Sequence, residues 1–383
     1  MRLERIDALR GCAVLGILLV NVWGFVHGYT PLRYGVGDAG LTDADRLAVF
    51  LVAAFAEQKF YPIFAFLFGA GFALQRRGKA LPDFIATYRR RLRWLLGCGL
   101  LHGSLLWLGD ILTTYAVAGY WLVRRAGTRP RQLMQSLRRV VIVNILIQLL
   151  LLVGYFNLPS MAEQAADAER MLAVYSGGSW TGIAQARLTD FGTNLFNMVF
   201  FVPWLVLLFL LGVLAVRLGP LVRPERHRAL WRRILRWGFG LALPLNLWWG
   251  YVAMATMSDT LHPPLGAELA GFLVNLAGPA LGAAYVALFM LGAPAPARLG
   301  RLLAPVGRLS LTNYLMQSVL LMLLLQGFAL GLGAVLPRAG LLALCAAIML
   351  WQLAFSHWWL RRHRTGPVEA IWRRYAEQPA MVK

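Results

Sequence analysis

Long apolar stretches separated by short polar joints follow one another along this chain of 383 residues. A stretch of about 20 apolar residues can cross the hydrocarbon core of a bilayer. Ten spans are predicted, at 10–29, 47–74, 92–108, 110–123, 138–158, 192–216, 234–256, 266–292, 308–331 and 339–360. The fourth is short, so the pair that meets at Gly109-Asp110 is either a tight hairpin or a partly re-entrant element. The pattern predicts an all-α, polytopic membrane helix bundle of about ten transmembrane helices.

The basic residues of the joints predict the orientation of this bundle. The chain carries 38 Lys and Arg against 17 Asp and Glu, a net charge of +21. Lys and Arg of short loops stay in the cytoplasm, and placing the N-terminus there puts most of these residues on the cytoplasmic side. We therefore expect both termini in the cytoplasm. Because topology accounts for the charge, no nucleic-acid partner is expected.

Composition excludes an ordinary soluble domain. Apolar residues make up 59% of the chain and charged residues only 14%, whereas soluble domains carry about 25% charged residues. We expect one transmembrane domain over 1–383, with an N-terminal half (1–158), an extracytoplasmic loop (159–190) and a C-terminal half (191–383). The loop holds an acidic helical stretch, Met161 to Tyr175, which either covers an outward-facing cavity or lies on the surface as a solvated helix.

Polar side chains inside the spans are the candidates for chemistry, because each is costly in lipid and usually faces a cavity or a partner. His102 follows Arg93 by nine residues, which places it about 14 Å along a helix from the cytoplasmic edge. A neutral imidazole there can act as a general base, and Asp110 can orient it or bind an acceptor. The alternative is that His102 bonds a neighbouring helix and Asp110 caps a turn.

The other buried polar residues predict a substrate-binding cavity. Glu57 and Lys59 are too close along one helix to pair with each other, so they line a polar cavity or belong to an ion-pair network. Asn313 and Gln317 share one helix face, where they bond other helices or contact a ligand. His27, at the outer end of the first span, is a surface histidine or a second candidate base. No metal site is indicated.

Ordered matches along nearly the whole chain identify a family. They are Arg5–Gly11, Val20-Asn21, Lys59-Phe60, Leu67–Gly71, His102-Gly103, Trp107, Gly109–Leu112, Gly307-Arg308, Asn313-Tyr314, Gln317-Ser318, Gly366–Glu369 and Trp372-Arg373. With these, the chain resembles the YeiB-type multi-pass proteins of the bacterial inner membrane, whose C-terminal portion is called domain of unknown function 418.

This family is distantly similar to transmembrane acyltransferases, which move an acyl group from cytoplasmic acyl-CoA to an acceptor across the membrane. In acyltransferase family 3 an Arg is followed eleven positions later by a His. Here Arg10 keeps the spacing, but the eleventh position is Asn21, which cannot act as a base. The resemblance therefore implies that another histidine takes this role, His102 first and His27 second.

The resemblance also implies the parts of an acyl-transfer site. Acyl-CoA, for example acetyl-CoA, is the expected co-substrate, with its phosphates held by Arg10 and by the basic run Arg89, Arg90, Arg91 and Arg93. Asn21 or Asn313 would bond the thioester oxygen as negative charge develops, and Glu57, Lys59 and Asp110 would line the acceptor side. Besides acyl-CoA, the expected partners are membrane lipids and an extracytoplasmic acceptor, with a homo-oligomer left open.

Two other classes of function fit the same residues. A transporter or lipid-handling protein would use the buried charges as an ion-coupled site, although no internal repeat of the kind common in transporters is evident. A structural membrane partner would use the polar groups only to fix helix packing. Acyl-CoA turnover would distinguish an acyltransferase from both of these classes. The identities of the acceptor and of the acyl chain are left open.

Overall fold

The structure is a computed structural model that describes residues 4–28, 30–37, 40–155, 159–292 and 294–377. The predicted ends of the first and fifth spans, at 29 and 158, lie outside these ranges. The described residues form α-helices and short 3-10 and π segments, without β-strands. The predicted all-α class is confirmed.

Fifteen α-helices follow in chain order within these described ranges. They are α1 (Glu4–His27), α2 (Asp43–Phe55), α3 (Phe60–Arg76), α4 (Leu81–Leu105), α5 (Leu112–Val123), α6 (Pro130–Tyr155), α7 (Met161–Gly177), α8 (Trp180–Arg217), α9 (Arg228–Trp237), α10 (Leu243–Ser258), α11 (Ala267–Leu291), α12 (Pro294–Arg308), α13 (Ser310–Leu325), α14 (Arg338–Arg362) and α15 (Pro367–Glu377). Helix α7 confirms the helical stretch predicted in the loop at 159–190.

Six helical segments of the described chain are long and apolar enough to cross a membrane. They are α1, the consecutive pair α2 and α3, α6, α8, α11 and α14. A seventh arises if α12 and α13, which meet at an angle of 77°, form one broken span. Helix α5 has only 12 residues and α10 only 16, while four arginines lie within α4. The chain is a polytopic membrane protein, and ten spans remain a prediction.

Helix α6 shows where lipid is expected. Its side chains at Ile142, Leu146, Leu149 and Leu150 are more than half exposed, and the helix packs mainly against α8. An apolar surface of this extent needs an apolar surrounding. The bilayer supplies it, so this face of α6 marks the outside of the bundle.

Helix α1 lies inside the bundle, against α3, α12, α13 and α14. Its approach to α12 is close enough to require glycine on both helices. A Cβ added at Gly11 would lie 2.2 Å from the Leu303 carbonyl oxygen, and one added at Gly307 would lie 1.7 Å from the Asp7 carbonyl oxygen. The glycines of Arg10-Gly11 and Gly307-Arg308 therefore set the separation of the two helices.

We predict that Gly307→Ala loosens this crossing. Backbone atoms cannot move aside as a flexible side chain can, so α12 must shift away from α1. Overpacking of this kind costs about 1–3 kcal/mol, and the thermal unfolding temperature of the purified protein in detergent should fall.

Gly97→Ala is the matched control. A Cβ at Gly97 in α4 meets nothing within 4 Å, and alanine favours a helix over glycine by about 1 kcal/mol. This variant should be as stable as the wild type or slightly more so. Equal unfolding temperatures for the two variants would contradict the close crossing.

Candidate functional site

A continuous hydrogen-bonded chain joins a carboxylate, an imidazole and a hydroxyl in the interior. Asp110 Oδ1 lies 2.8 Å from His102 Nδ1, and His102 Nε2 lies 2.8 Å from Ser318 Oγ. The side chains of His102 and Asp110 are 1% and 0% exposed, and Ser318 is 2% exposed. Three separate parts of the chain thus contribute to one polar cluster, which we call the Asp110–His102–Ser318 chain.

The carboxylate of Asp110 is held by the start of α5. It accepts hydrogen bonds from the backbone N–H groups of Leu112, at 3.1 Å, and Thr113, at 2.8 Å. These donors are among those that a helix N-terminus leaves unpaired, and the Asp110 carboxylate supplies their acceptor. An ionised Asp110 accepts from Nδ1–H of His102, so Nε2 is left as the acceptor for the Ser318 hydroxyl.

The segment between α4 and α5, which carries Asp110, is fixed by α8. Asn194 Nδ2 donates to the Leu108 carbonyl at 2.7 Å. Arg187 donates to the carbonyl of Leu105, the last residue of α4, and to Gln326 Oε1 at 2.7 Å. The residues of α8 therefore hold in place the segment that carries Asp110, and with it the Asp110–His102–Ser318 chain.

A cavity of about 420 Å³ opens near the start of α1. Its charged lining is mainly basic, with Arg10, Lys79, Arg91, Arg308, Arg364 and Arg373 together with Glu369 and Glu377. We call it the arginine cavity. Its lining also has an apolar and aromatic part, formed by residues such as Ile17, Phe68 and Tyr115. A ligand with an anionic head and an extended apolar part would match both regions.

The predicted basic run on α4 divides around this cavity. Arg91 lines it, together with Arg10 of α1. Arg90 instead donates to the Ala376 carbonyl at 3.0 Å. Arg89 and Arg93 are exposed and lie outside the lining. Helix periodicity explains the division, because neighbouring residues on a helix point in different directions.

Helix α15 forms one wall of the arginine cavity. Its Trp372 ring lies 3.7 Å from the Arg91 guanidinium carbon. Its Glu369 accepts hydrogen bonds from the backbone N–H groups of Leu311 and Thr312, at 2.9 and 3.1 Å. Glu369 therefore caps the N-terminus of α13 from another helix and holds α15 beside the cavity.

A second cavity, of about 290 Å³, lies further along α1. Its polar and charged lining includes Asn21, Arg33, Glu57, Gln58, Asp110 and Asn194, and aromatic rings come from Tyr61, Phe191 and Phe201. We call it the Glu57 cavity. Asp110 is thus both part of the hydrogen-bonded chain and part of this cavity wall.

Glu57 is buried but fully partnered. Its carboxylate lies 3.0 Å from Arg33 Nη1 and accepts from the Tyr34 hydroxyl at 2.7 Å and from Trp249 Nε1 at 3.0 Å. Burial and the Glu57 carboxylate raise the pKa of the Tyr34 hydroxyl well above its usual value, so Tyr34 stays protonated and donates. Glu57 lies in the break between α2 and α3. In this break Gln58 adopts a φ of 63°, which is unusual for a residue with a side chain.

The two cavities meet at a single group of residues. Ile17, Ile111 and Tyr314 line both. The Tyr314 and His102 rings have centroids 5.1 Å apart. The buried Tyr314 hydroxyl forms no hydrogen bond with another side chain in the part of the chain that the structure describes. The Asp110–His102–Ser318 chain therefore lies directly behind the junction of the two cavities.

Helix α1 explains the spacing of Arg10 and Asn21. Arg10 lines the arginine cavity and Asn21 lines the Glu57 cavity. Eleven residues of helix separate them by about 16 Å, with Ile17 between at the junction. The two positions therefore face different cavities.

The remaining candidate residues lie away from both linings. Lys59 Nζ donates to the Ala53 carbonyl at 2.9 Å, at the end of α2. Asn313 donates to Ser356 Oγ at 3.0 Å and Gln317 to Gln352 Oε1 at 2.8 Å, so both join α13 to α14. His27 is buried at the end of α1, near Gly35.

Four side chains at the site received no role from the sequence. Ser318 and Tyr314 fall in the family stretch that begins at Gly307, and Glu369 falls in the stretch that begins at Gly366. The family resemblance therefore singled out these residues without indicating a function for them. Arg33 lies in a joint without any such signal. Only the fold shows that Ser318 reaches a histidine 216 positions earlier.

The fold and site define a class: a polytopic membrane protein in which two cavities meet beside a buried carboxylate, imidazole and hydroxyl. Residues 215–378 match the family described as "Protein of unknown function (DUF418)". The chain belongs to this YeiB-like DUF418 family. The resemblance drawn from the sequence is confirmed.

Similar proteins occur in Bacillus subtilis and in Escherichia coli. The chain is 30% identical to the uncharacterised protein YxaH of Bacillus subtilis, over 97% of this chain and 93% of that protein. It is 29% identical to the uncharacterised protein YeiB of Escherichia coli, over 99% and 98% of the respective chains. No solved structure matches. The similarity spans both cavities.

We predict that Asp110→Ala strongly destabilises the protein. The change leaves His102 Nδ1–H and two backbone N–H groups without their acceptor. A buried donor without a partner costs about 1–3 kcal/mol, so a total loss of about 3 kcal/mol or more is expected. Thermal unfolding in detergent measures this loss.

Asp83→Ala, an exposed acid near the start of α4, is the control and should change the unfolding temperature little. If both variants unfold at the same temperature, Asp110 does not organise the start of α5 as described.

Proposed function

We propose that this protein is a membrane acyltransferase that moves an acyl group from acyl-CoA, bound in the arginine cavity, to an acceptor bound in the Glu57 cavity. The observation that carries the proposal is the junction of the two cavities at Ile17, Ile111 and Tyr314, directly beside His102. A donor and an acceptor from opposite sides can reach one basic group there.

The arginine cavity supports the choice of donor. CoA carries several phosphate charges at one end and a thioester on a long, flexible arm at the other. Guanidinium groups of Arg10, Arg91 and Arg364 in its lining suit the phosphates. Val14, Ile17 and Tyr314 belong to the same lining, and a flexible arm lying along them would bring the thioester to the junction.

The Glu57 cavity supports an acceptor with hydroxyl or amine groups. Asn21 and Asn194 offer amides that donate and accept, and Glu57 and Arg33 offer charged partners. On binding, a polar acceptor would lose hydrogen bonds to water and gain hydrogen bonds to these side chains. The tryptophan and tyrosine that already bond Glu57 hold the carboxylate in one orientation.

The Asp110–His102–Ser318 chain supports base catalysis at the junction. Nδ1–H of His102 donates to Asp110, so the carboxylate stabilises the imidazolium that forms when Nε2 takes a proton. Burial keeps water from the thioester while this happens. The base is thereby assigned to α4 rather than to α1, where position 21 is an asparagine.

We also propose a topology for this reaction: ten spans in the bacterial inner membrane, with both termini in the cytoplasm. The arginine cavity would then open to cytoplasmic acyl-CoA, because α15 and the start of α1 lie beside it. The Glu57 cavity would open to the outside, on the side of α7, which packs near the end of α1.

We predict that Arg10→Gln and Arg91→Gln each weaken binding of acetyl-CoA by about tenfold or more, because a hydrogen bond to a charged group contributes about 1.5–3 kcal/mol. Binding is measured by calorimetry on protein in nanodiscs, with unfolding temperatures recorded to confirm intact structure.

Arg89→Gln and Arg93→Gln are matched controls on the same helix, and they should change the affinity by less than about twofold since exposed charges are screened. Equal losses in all four variants would indicate nonspecific attraction. If the wild type binds none of acetyl-, octanoyl- and palmitoyl-CoA, the donor assignment is wrong, and a transporter becomes the better reading.

We predict that cysteines placed at Glu4 and Glu377 are shielded from an impermeant maleimide in intact spheroplasts, while one at Glu169 in α7 is labelled. The background carries alanine at Cys12, Cys98 and Cys345. The opposite labelling pattern would reverse the orientation, and labelling of only one terminus would exclude an even number of spans.

A further inference from the structure

We infer that Ser318 is an acylation site, a nucleophile that receives the acyl group from the donor and then passes it to the acceptor. The inference rests on the proposed function and adds a covalent intermediate to it. Its basis is the hydrogen bond between Ser318 and His102. With Nδ1 protonated, Nε2 is the atom of the Asp110–His102–Ser318 chain that can take a proton, and it already accepts a hydrogen bond from the Ser318 hydroxyl at 2.8 Å.

The occupied Nε2 favours serine over a bound acceptor as the first group to be deprotonated. A neutral imidazole nitrogen has one lone pair in the ring plane. An acceptor hydroxyl would have to displace Ser318 before His102 could take its proton. Ser318 needs no such rearrangement, and the order of carboxylate, imidazole and hydroxyl is the one that activates serine nucleophiles on unrelated folds.

The first half-reaction balances without any further reactant. Ser318 Oγ attacks the thioester carbonyl carbon while its proton passes to His102 Nε2. The tetrahedral intermediate then collapses, the carbon–sulfur bond breaks, and the proton on His102 passes to the departing sulfur. The products are CoA with a free thiol and an ester on Ser318, with His102 neutral again.

The second half-reaction is the reverse in form. A hydroxyl of the acceptor in the Glu57 cavity gives its proton to His102 Nε2 and attacks the ester carbonyl carbon. Collapse breaks the bond between that carbon and Ser318 Oγ, which takes the proton back. The acceptor leaves as an ester, and the Asp110–His102–Ser318 chain returns to its starting state.

Tyr314 is the residue that separates Ser318 from the substrates. It lies one helical turn before Ser318 on α13, on the same helix face, and it forms part of both cavity walls. Its hydroxyl contacts the backbone of Ile111 and bonds no other side chain of the described residues, so rotation of the ring gives up that one backbone contact and no side-chain hydrogen bond. The displaced ring would open Ser318 to either cavity, and the hydroxyl could donate to the carbonyl oxygen as charge develops there.

A covalent intermediate also fits the separation of the two cavities. Only three residues are common to their linings, so simultaneous contact between donor and acceptor would need both to enter one narrow junction. A serine that is acylated from one side and deacylated from the other lets the two substrates bind at different times.

The test is a reaction with acyl-CoA in the absence of an acceptor. Protein in nanodiscs is mixed with acetyl-, octanoyl- or palmitoyl-CoA, quenched in acid, digested and examined by mass spectrometry, while released CoA is measured with a thiol reagent. We expect an acyl group on Ser318 and a burst of about one CoA per chain, as a covalent intermediate requires.

Three variants make the result specific. Ser318→Ala should abolish the burst and the adduct, and His102→Ala should do the same. Ser318→Cys should restore the adduct as a thioester that neutral hydroxylamine cleaves, unlike the ester of the wild type. Ser356→Ala is the matched control: Ser356 is another buried serine, bonded to Asn313 of the same helix α13, and its loss should leave the burst unchanged.

Different failures have different meanings. If the wild type binds acyl-CoA but forms no adduct, or Ser318→Ala gives the same burst, or the adduct lies on another residue, direct transfer or another nucleophile replaces this inference while the proposed function stands. If the wild type neither binds nor consumes any of the three acyl-CoAs, the proposed function and this inference fall together.

Discussion

The buried carboxylate of Asp110 sets the strongest constraint on this structure. An ionised group in an apolar interior must find hydrogen-bond donors, because an unpaired buried charge costs several kcal/mol. Here the donors are two N–H groups at the start of α5 and the imidazole of His102. Meeting this need fixes where α4 ends and α5 begins. It also determines that His102 faces α13, where Ser318 completes the chain.

Close helix packing and open cavities are combined along α1. Near its start the glycine crossing with α12 removes all space between the helices, and that contact holds Arg10 at the edge of the arginine cavity. Further along α1, the side chains of Ile17 and Asn21 line the Glu57 cavity. One continuous helix therefore forms walls of both cavities, and Ile17 belongs to both linings.

The sequence predicted the class and part of the site. Apolar stretches identified the helical bundle because lipid demands long runs of one kind of residue, and costly polar residues marked His102, Asp110 and Glu57. It could not reveal the breaks at Gln58 and Leu309, where backbone geometry rather than hydropathy decides. Nor could it show which of the four arginines Arg89, Arg90, Arg91 and Arg93 face the cavity. The contact between His102 and Ser318 was also out of reach, since it depends on how α4 packs against α13 and on how α8 holds the loop between α4 and α5.

The asparagine at position 21 gives these observations a common explanation. In acyltransferase family 3 the resemblance places a histidine at the equivalent of this position, and here that position is in the wall of the Glu57 cavity, open to an acceptor. His102 instead lies behind Tyr314, almost without exposure. A base in an open wall can act on an acceptor directly. Under the proposed function, a base behind the wall needs a relay, and within the described residues the hydroxyl that bonds His102 Nε2 belongs to Ser318. In that proposal, a base on α4 instead of α1 and a serine from α13 are two parts of one arrangement.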